Sequence, residues 1–272
     1  MKIATWNVNS IRARLDRLLA WLRERAPDVV CLQETKVEDH AFPMLELEAL
    51  GYHVAAFGQK TYNGVALLAR RPLQDVVRGF GDSTDDGQAR FVVARVDDVR
   101  VGSVYVPNGQ AVGSDKFHYK LAWLARWRDW LDRHADPAAP LVLCGDMNVA
   151  PEDRDVHDPE GWRNQILCHP DERTALAEVK RWGLTDLYRH HHPAETHFTW
   201  WDYRQLSFPK NRGLRIDHVL GTAPMTARCH SVVVDREARK GKQPSDHAPV
   251  IAEFEVLTAS GASCTPDAPE RA

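Results

Sequence analysis

Short apolar segments recur along the whole chain, and their length and spacing constrain the fold more than any other feature. Apolar runs of about four to eight residues, typical of buried strands, occur at about ten places. Some are separated only by a turn, such as Asp97-Asp98 between residues 90–96 and 99–106, and others by longer polar or amphipathic segments. So many strands exceed one comfortable open sheet. The pattern predicts two packed sheets with helices on the outside.

Amphipathic segments between these strands predict the helices. One begins after Asn9 or Ser10 and has apolar residues on one helical face up to Leu22. A longer helix follows Ser114, and its three tryptophans are expected to pack against a sheet, because aromatic stripes at helical spacing usually do. Further helices are expected within residues 42–50 and 171–182.

One strand ends in an acid and an amide. The apolar run 141–144 leads into Gly145, Asp146 and Asn148. In an extended segment, residues two apart point to the same side, so Asp146 and Asn148 share one space. Two interpretations are open for this stretch alone: Asp146 caps the following loop, as Asp often does, or the two side chains belong to a reactive site.

Other strands end in the same way. Polar side chains at strand edges or ends are Asn7, Glu34, Asp217, Asp246 and His247. Open sheets bind ligands where strands finish. The sequence therefore predicts a site built from several strand ends. Carboxylates and amides without a thiolate suit a hard cation such as Mg²⁺ or Mn²⁺ better than zinc.

The same residue types indicate phosphate chemistry. A hard cation beside an acid and a histidine favours hydrolysis of a phosphate ester, in which the cation polarises the phosphate and a base activates water. The sequence has no P-loop, no dinucleotide-binding glycine motif and no G-x-S-x-G motif. Nucleotide-powered, dinucleotide-dependent and serine-hydrolase functions therefore lack their usual motifs.

The overall charge does not indicate a polyanionic partner, since the formal net charge is -3. Positive charge is local. The basic residues Arg204, Lys210, Arg212 and Arg215 surround an aromatic run that includes Trp200, Trp201 and Tyr203. This pattern fits a nucleic-acid backbone with a stacked or extruded base. The alternative is a charged surface loop beside core aromatics.

Composition also bears on location and domain organisation. Five cysteines without a C-x-x-C spacing are typical of a reducing cytoplasm. No segment approaches the roughly 18 apolar residues of a membrane span, so no membrane partner is expected. Residues 258–272 are small and polar, which predicts a disordered tail after a single domain over residues 1–257.

Several motifs along the chain together resemble one known family. They are Thr5-Trp6-Asn7, Leu32-Gln33-Glu34-Thr35-Lys36, Tyr105-Val106-Pro107-Asn108, Gly145-Asp146-Met147-Asn148, Trp200-Trp201-Asp202-Tyr203-Arg204, Asn211-Arg212-Gly213-Leu214-Arg215-Ile216-Asp217 and Ser245-Asp246-His247. In this order they resemble the exonuclease III type of AP endonuclease, within the endonuclease/exonuclease/phosphatase superfamily. The resemblance implies an α/β four-layered sandwich, in which two packed mixed β-sheets are flanked by helices.

The resemblance also implies roles for individual residues. Glu34 is expected to be the principal metal ligand, with Asn7 beside it. Asp146 orients or deprotonates the attacking water, and either Asp146 or His247 is the base. Tyr105 is expected to contact the phosphate or the leaving group, and Asn148 the water or the phosphate. Asp217 is expected to orient His247, and Asp246 to mark a second metal position. Further candidates for metal contact are Asp146, Asn148 and His247.

The implied activity is a Mg²⁺-dependent DNA hydrolase that cuts 5′ to abasic sites, removes 3′-blocking groups and degrades duplexes from 3′ ends. Expected DNA contacts are Asn108, Trp200, Arg204, Arg212 and Leu214, with Trp200 and Leu214 lining a pocket for the abasic sugar. Trp200 as a core aromatic is the alternative for that residue. Two other functions stay open: a superfamily hydrolase acting on RNA or a phosphorylated small molecule, and a catalytically inactive DNA-binding module. A monomer is expected.

Overall fold

The computed structural model describes residues 1–84 and 87–255. The predicted tail, residues 258–272, lies outside the described residues, as do the last two residues of the predicted domain. Within the described ranges there are twelve strands: β1 Lys2–Asn7, β2 Val29–Gln33, β3 His53–Phe57, β4 Val65–Ala69, β5 Gln74–Arg78, β6 Phe91–Val96, β7 Val99–Tyr105, β8 Leu141–Asp146, β9 Thr185–Asp186, β10 Asp217–Gly221, β11 Cys229–Val234 and β12 Val250–Phe254.

The strands form two six-stranded sheets. The first has the order β11-β12-β1-β2-β4-β3 and the second β5-β6-β7-β8-β10-β9. Each sheet is mixed, because β1 and β2 are parallel in the first, β7 and β8 are parallel in the second, and the other pairs are antiparallel. The predicted hairpin at Asp97-Asp98 is confirmed, since Val96 pairs with Val99.

Four helices cover the outer faces of the sheets: α1 Ile11–Arg25, α2 Met44–Glu48, α3 Asp115–His134 and α4 Pro170–Arg181. Two short ones, α5 Leu187–His191 and α6 Ala223–Arg228, contribute buried residues to the core between the sheets. Apolar residues of α1 and α2 pack on the first sheet, and those of α3 and α4 on the second. The tryptophans of α3 pack against a sheet as predicted; Trp130 lies 4.7 Å from Phe91 between ring centroids. The predicted four-layered α/β sandwich is confirmed. Across residues 1–84 and 87–255, no helix combines the length and apolarity needed to cross a membrane.

The pleat of the strands places the polar strand ends together. In β1, Ile3 faces the other sheet, and the two-residue period brings Asn7 to the same face at the strand's end. In β8, Val142 and Cys144 face inward in the same way and Asp146 completes the row. Gly145 is required between them because its φ is 156° and a Cβ there would collide with the backbone oxygen of Val104.

The structure corrects several predicted elements. Residues 197–201 are among the segments that the sequence predicts to be strands, but they do not form one; Trp200 makes only isolated bridges to Leu214 and His247. Four short elements were missed: β5, β9, α5 and α6. Strand β5 lies at a sheet edge and its residues are largely exposed, so it lacks the apolar alternation that identifies buried strands.

Arg215 is not part of a surface basic patch, contrary to the sequence-based interpretation. It is 1% exposed, and its guanidinium donates to Asp155 at 2.7 Å and to Asp186 at 2.8 Å. Arg189 also pairs with Asp155. This network holds the segment that enters β10 two residues before Asp217.

Replacing Arg215 with Met should therefore cost about 3–5 kcal/mol of unfolding free energy, because Asp155 and Asp186 would keep buried charges without their main partner. Urea denaturation measures the loss. The exposed Arg204→Met is the control, expected to change the free energy by no more than about 0.5 kcal/mol. A loss below about 1 kcal/mol for Arg215→Met would contradict this account of the network.

Candidate active site

The candidate site lies where strands of both sheets end, at one edge of the layer between them. The first sheet contributes Asn7 from β1, Glu34 directly after β2, and the segment before β12 that carries His247. The second contributes Tyr105 from β7, Asp146 from β8 and Asp217 from β10. Registers align them: Asp217 pairs with Asp146, and Asp146 with Tyr105.

Asn7 joins the two halves of the site. Its fully buried amide nitrogen donates to Glu34 Oε1 at 2.9 Å and to Asp146 Oδ2 at 2.9 Å. The other oxygen of Glu34 lies 2.8 Å from Lys36 Nζ. Glu34 adopts a left-handed conformation with φ of 51°, which is unfavourable for this residue type and is typical of functional sites.

A buried chain of three titratable groups crosses the site. His247 Nδ1 lies 2.8 Å from Asp217 Oδ2, and His247 Nε2 lies 3.7 Å from Asp146 Oδ2. Burial acts to lower the pKa of His247, but the carboxylates of Asp217 and Asp146 outweigh it and raise the pKa to about 10. The imidazole is therefore positively charged at neutral pH.

Burial has the opposite effect on the pKa of Asp146 and on that of the Tyr105 phenol. It raises the pKa of Asp146 to about 7, although the positive charge of His247 opposes the shift. Burial also raises the pKa of Tyr105 well above its ordinary value, and the carboxylates of Glu34 and Asp146 add to this shift. Tyr105 therefore keeps its proton and is a hydrogen-bond donor.

Asn148 and Asn108 are linked beside Asp146. The backbone N–H of Asn148 donates to Asp146 Oδ1 at 2.9 Å, which caps the loop as the simpler interpretation of this stretch expected. Asn108 Nδ2 donates to Asn148 Oδ1 at 3.1 Å. Asp146 therefore both caps its own loop and lies in the cluster, so the two interpretations of this strand end are compatible.

A metal ion fits one group of side chains. Oxygens of Glu34 and Asp146 and a ring nitrogen of His247 lie within 4.8 Å of one another, and the two carboxylates are the ligands that the group offers while the imidazole is charged. Two carboxylates beside the Asn7 amide are donors that suit an oxygen-preferring divalent cation. Asp246 lies outside this group. Its oxygens accept from Asn9 Nδ2 at 2.9 Å and Trp200 Nε1 at 3.0 Å.

The predicted DNA-contacting residues occupy different environments. Arg204 and Arg212 are exposed. Arg204 also lines a groove of 1220 Å³ that reaches Tyr105 and Asn108. Trp200 is half-buried, whereas Leu214 has no exposed surface and packs with Val156, Leu167 and Ile216.

Sequence reasoning assigned no role to three polar residues at the site. Lys36 Nζ donates to Asn9 Oδ1 at 2.6 Å and pairs with Glu34, while Asn9 also binds Asp246. Arg90 lies 4.7 Å from the centre of the Tyr105 ring. Lys36 and Asn9 lie two residues from Glu34 and Asn7, so the motifs pointed to them. Arg90 directly precedes strand β6, and only the pairing of β6 with β7 reveals its position.

Comparison with known proteins agrees with this geometry. Exodeoxyribonuclease III of Haemophilus influenzae is 37% identical over 266 residues, which cover 93% of this chain and all of that protein. An AP endonuclease from Archaeoglobus fulgidus superposes with a TM-score of 0.91 at 40% identity, covering 94% of this chain and all of that one. A Neisseria 3′ phosphatase, solved with a product DNA hairpin, superposes with a TM-score of 0.89 at 45% identity, covering 94% of this chain and all of that one.

The family match is as extensive as the structural one. Residues 4–247 match the endonuclease/exonuclease/phosphatase family. That range includes every strand end that contributes to the site, from Asn7 to His247. The chain therefore belongs to the endonuclease/exonuclease/phosphatase family and is a hydrolytic enzyme of the nuclease type.

Proposed function

We propose that this protein is a Mg²⁺-dependent DNA-repair phosphodiesterase that cuts DNA 5′ to abasic sites, removes 3′-blocking groups and degrades duplex DNA from 3′ ends. The observation that carries the proposal is the buried chain from Asp217 through His247 to Asp146, linked by Asn7 to Glu34. The relatives support the DNA substrate, since they include an exodeoxyribonuclease, an AP endonuclease and a 3′ phosphatase.

Glu34 is proposed as the principal ligand of the cation, with Asn7 beside it. The site offers carboxylate and amide oxygens and no thiolate, which fits Mg²⁺, and Mn²⁺ has the same preference for oxygen. A bound cation would add positive charge that polarises the phosphate. A protonated imidazole has no lone pair for a metal, so the charge of His247 argues for a phosphate contact in place of ligation. Asp246, held by Asn9 and Trp200, is kept as a second metal position.

The remaining site residues are proposed to activate the water and to contact the phosphate. Asp146 is the base in this proposal: with a pKa of about 7 it can accept a proton from the attacking water, whereas the charged His247 cannot. His247 then stabilises the charge that develops on the phosphate, and Asp217 holds the imidazole in place. The phenol of Tyr105 and the amides of Asn108 and Asn148 complete the proposed phosphate and water contacts.

Turnover on defined substrates tests the proposal. A 5′-labelled duplex with one internal abasic site should be cut to a shorter strand ending in a 3′-hydroxyl, and a duplex with a 3′-phosphate should lose it. Both reactions should stop with EDTA. Cleavage only of RNA or of phosphorylated small molecules would favour the alternative hydrolase, and DNA binding without turnover in Mg²⁺ would indicate an inactive binding module.

Trp200 and Leu214 are proposed to form the wall of the pocket for the abasic sugar, Trp200 by direct contact and Leu214 by supporting it from behind. Leu214 is fully buried beneath Trp200, and their backbones form a bridge, so Trp200 offers the exposed apolar surface. An apolar wall favours a sugar without its base, because a normal nucleotide must first lose its stacking and pairing.

Replacing Trp200 with Ala should lower kcat/KM on abasic duplexes by about tenfold, or about 1.4 kcal/mol, and narrow the preference over intact DNA. Trp200→Phe is the matched control: it keeps an apolar ring but removes the hydrogen bond to Asp246. The Trp200→Phe enzyme should retain most of the preference for abasic over intact DNA. An equal loss on abasic and intact 3′ ends, or loss of folding, would contradict the pocket.

Three broader proposals accompany the activity. Residues 1–257 are proposed to form one catalytic domain, consistent with the family match over residues 4–247. The protein is proposed to act as a monomer and in the cytoplasm. Size-exclusion chromatography with light scattering tests whether the protein is a monomer, and cell fractionation tests whether it is cytoplasmic.

A further inference from the structure

Lys120 is a buried cation beside the candidate site. It lies on α3, and its side chain has no exposed surface. Its ammonium donates to the backbone carbonyl of Asn148 at 2.6 Å, to the backbone carbonyl of Asn108 at 3.2 Å, and to the carboxylate of Glu172. An ammonium has three N–H donors, so each donor has an acceptor. Because it is buried, Lys120 does not reach substrate.

Two of the three acceptors belong to loops that carry site residues. Asn148 has a left-handed conformation with φ of 48°, which costs free energy in a residue with a Cβ. The Lys120 ammonium binds the carbonyl that this conformation turns toward α3. It binds the carbonyl of Asn108 as well, and the side chains of Asn108 and Asn148 are joined to each other. One cation therefore anchors both amides through the backbone.

The counter-ion connects the same point to a second helix. Glu172 is fully buried at the start of α4, and its second oxygen accepts the backbone N–H of His169 at 3.1 Å. Gly109 follows Asn108 and approaches the Lys120 stem so closely that a Cβ there would lie 3.1 Å from Lys120 Cδ. The loop after β7, the loop after β8 and the start of α4 thus meet at this ion pair.

Stability alone is a poor reason for this arrangement. A buried ion pair can often be replaced by apolar side chains of similar volume with little or no loss of stability, because the charges must be desolvated. Apolar side chains cannot bind the two carbonyls. An apolar pair would therefore lose the two hydrogen bonds that orient the backbones of Asn108 and Asn148.

We infer that Lys120 is a positioning residue, whose ammonium fixes the backbones of Asn108 and Asn148 so that their amides meet the phosphate and the attacking water in one geometry. The inference rests on the proposed function, because it assigns that role to the two amides. It differs from a purely structural role for Lys120 in its effect on kcat.

The main test replaces the whole pair, Lys120→Met with Glu172→Leu, so that no unpaired charge stays buried. The melting temperature should change by no more than about 5 °C. On an abasic duplex, kcat should fall on the order of 100-fold, since small displacements of catalytic groups have effects of this size. KM and the affinity for Mn²⁺, followed by electron paramagnetic resonance, should change by less than about threefold. A folded variant with wild-type kcat would overturn the inference.

A double-mutant cycle separates positioning from a general loosening of the fold. In a background that carries both Asn108→Ala and Asn148→Ala, measured in single turnovers with excess enzyme, removal of the ion pair should lower kcat by less than about a further threefold. The full loss in that background would show that Lys120 does not act through the two amides. The control pair is Arg228→Met with Asp98→Asn, which removes another ion pair at the β6–β7 turn and should leave kcat unchanged.

Two further measurements keep the inference testable. If the apolar pair does not fold, Lys120→Gln with Glu172→Gln replaces it: the shorter amide cannot bind both carbonyls, so wild-type kcat in this variant would overturn the inference. Hydrogen exchange tests Lys120 without any activity. The amides of Asn148 and Gln110, which donate to the side chains of Asp146 and Asn108, should exchange faster in the variant, and unchanged exchange would contradict positioning. If wild-type enzyme cuts none of the DNA substrates, the proposed function fails while this readout still decides the role of Lys120.

Discussion

Replacing Asp217 with Asn should lower kcat on an abasic duplex by about three to four orders of magnitude while leaving KM and the fold largely unchanged. Asp217 lies 2.8 Å from His247 Nδ1, and both side chains are buried. An Asn can hold the imidazole in the wrong tautomer and does not support its charge, which is the kind of change that produces losses of this size.

The losses at Asp217 and His247 should not add, because the acid acts through the imidazole. We expect His247→Asn and the double variant with Asp217→Asn to have nearly the same kcat. Measuring the three variants under single-turnover conditions gives the coupling. Multiplicative losses would mean that the two residues act independently.

The pH dependence supplies a second readout with a defined sign. The pKa of His247 is raised to about 10, chiefly by Asp217 against the effect of burial, so wild-type enzyme should keep the charged imidazole until pH rises through about 10. Asp217→Asn removes the largest favourable charge, and the pKa of His247 should fall. The residual activity should then be lost at lower pH than in wild type. An unchanged alkaline limb would argue against charge stabilisation by Asp217.

Replacing Glu34 with Gln should abolish activity at ordinary Mg²⁺ by weakening the metal. Glu34 supplies a carboxylate within 4.8 Å of the other ligand atoms, and Asn7 donates to it. Mutating residues that only support metal ligands costs about 10- to 100-fold in affinity, so loss of a charged ligand should cost at least about 100-fold. Calorimetric titration with Mn²⁺ measures this, and raised Mg²⁺ or Mn²⁺ should partly restore kcat.

Lys36→Gln is the matched control for this experiment. Lys36 forms an ion pair with the same carboxylate, 2.8 Å from Glu34 Oε2. Removing its charge leaves the ligand in place and removes a competing cation, so metal affinity should not fall. A Glu34→Gln enzyme that binds Mn²⁺ normally yet stays inactive at every metal concentration would show that Glu34 is not the main ligand.

The strands and their polar ends could be predicted from the sequence because both depend on local patterns. Period-two alternation and short apolar runs determine which segments become buried strands, and the residue that follows such a run lies at a sheet edge. Asn7, Glu34 and Asp146 could therefore be assigned to strand ends from these patterns, whereas His247 lies shortly before β12 and was assigned through the Ser245-Asp246-His247 motif. Strand β5 was not predictable in this way, because an exposed edge strand needs no apolar alternation.

Basic residues were less predictable, since a charge in the sequence carries no information about its depth. Arg215 lies only three residues from Arg212, yet Arg215 is buried between two carboxylates and Arg212 is exposed. The difference arises because Asp155 and Asp186, both distant in sequence, arrive beside Arg215 through loop and sheet packing. Lys120 is buried for the same reason.

The sequence alone determined most of the strands, the longer helices and the polar residue types at the strand ends, because backbone geometry and side-chain period are local properties. Only the tertiary structure decided which of those residues touch and which carry charge. Asp146 and His247 are about a hundred residues apart in the chain, and their protonation states depend on mutual distance, burial and the Asp217 carboxylate. Electrostatic interactions act through space, so the chemistry of the site exists only once the two sheets have packed.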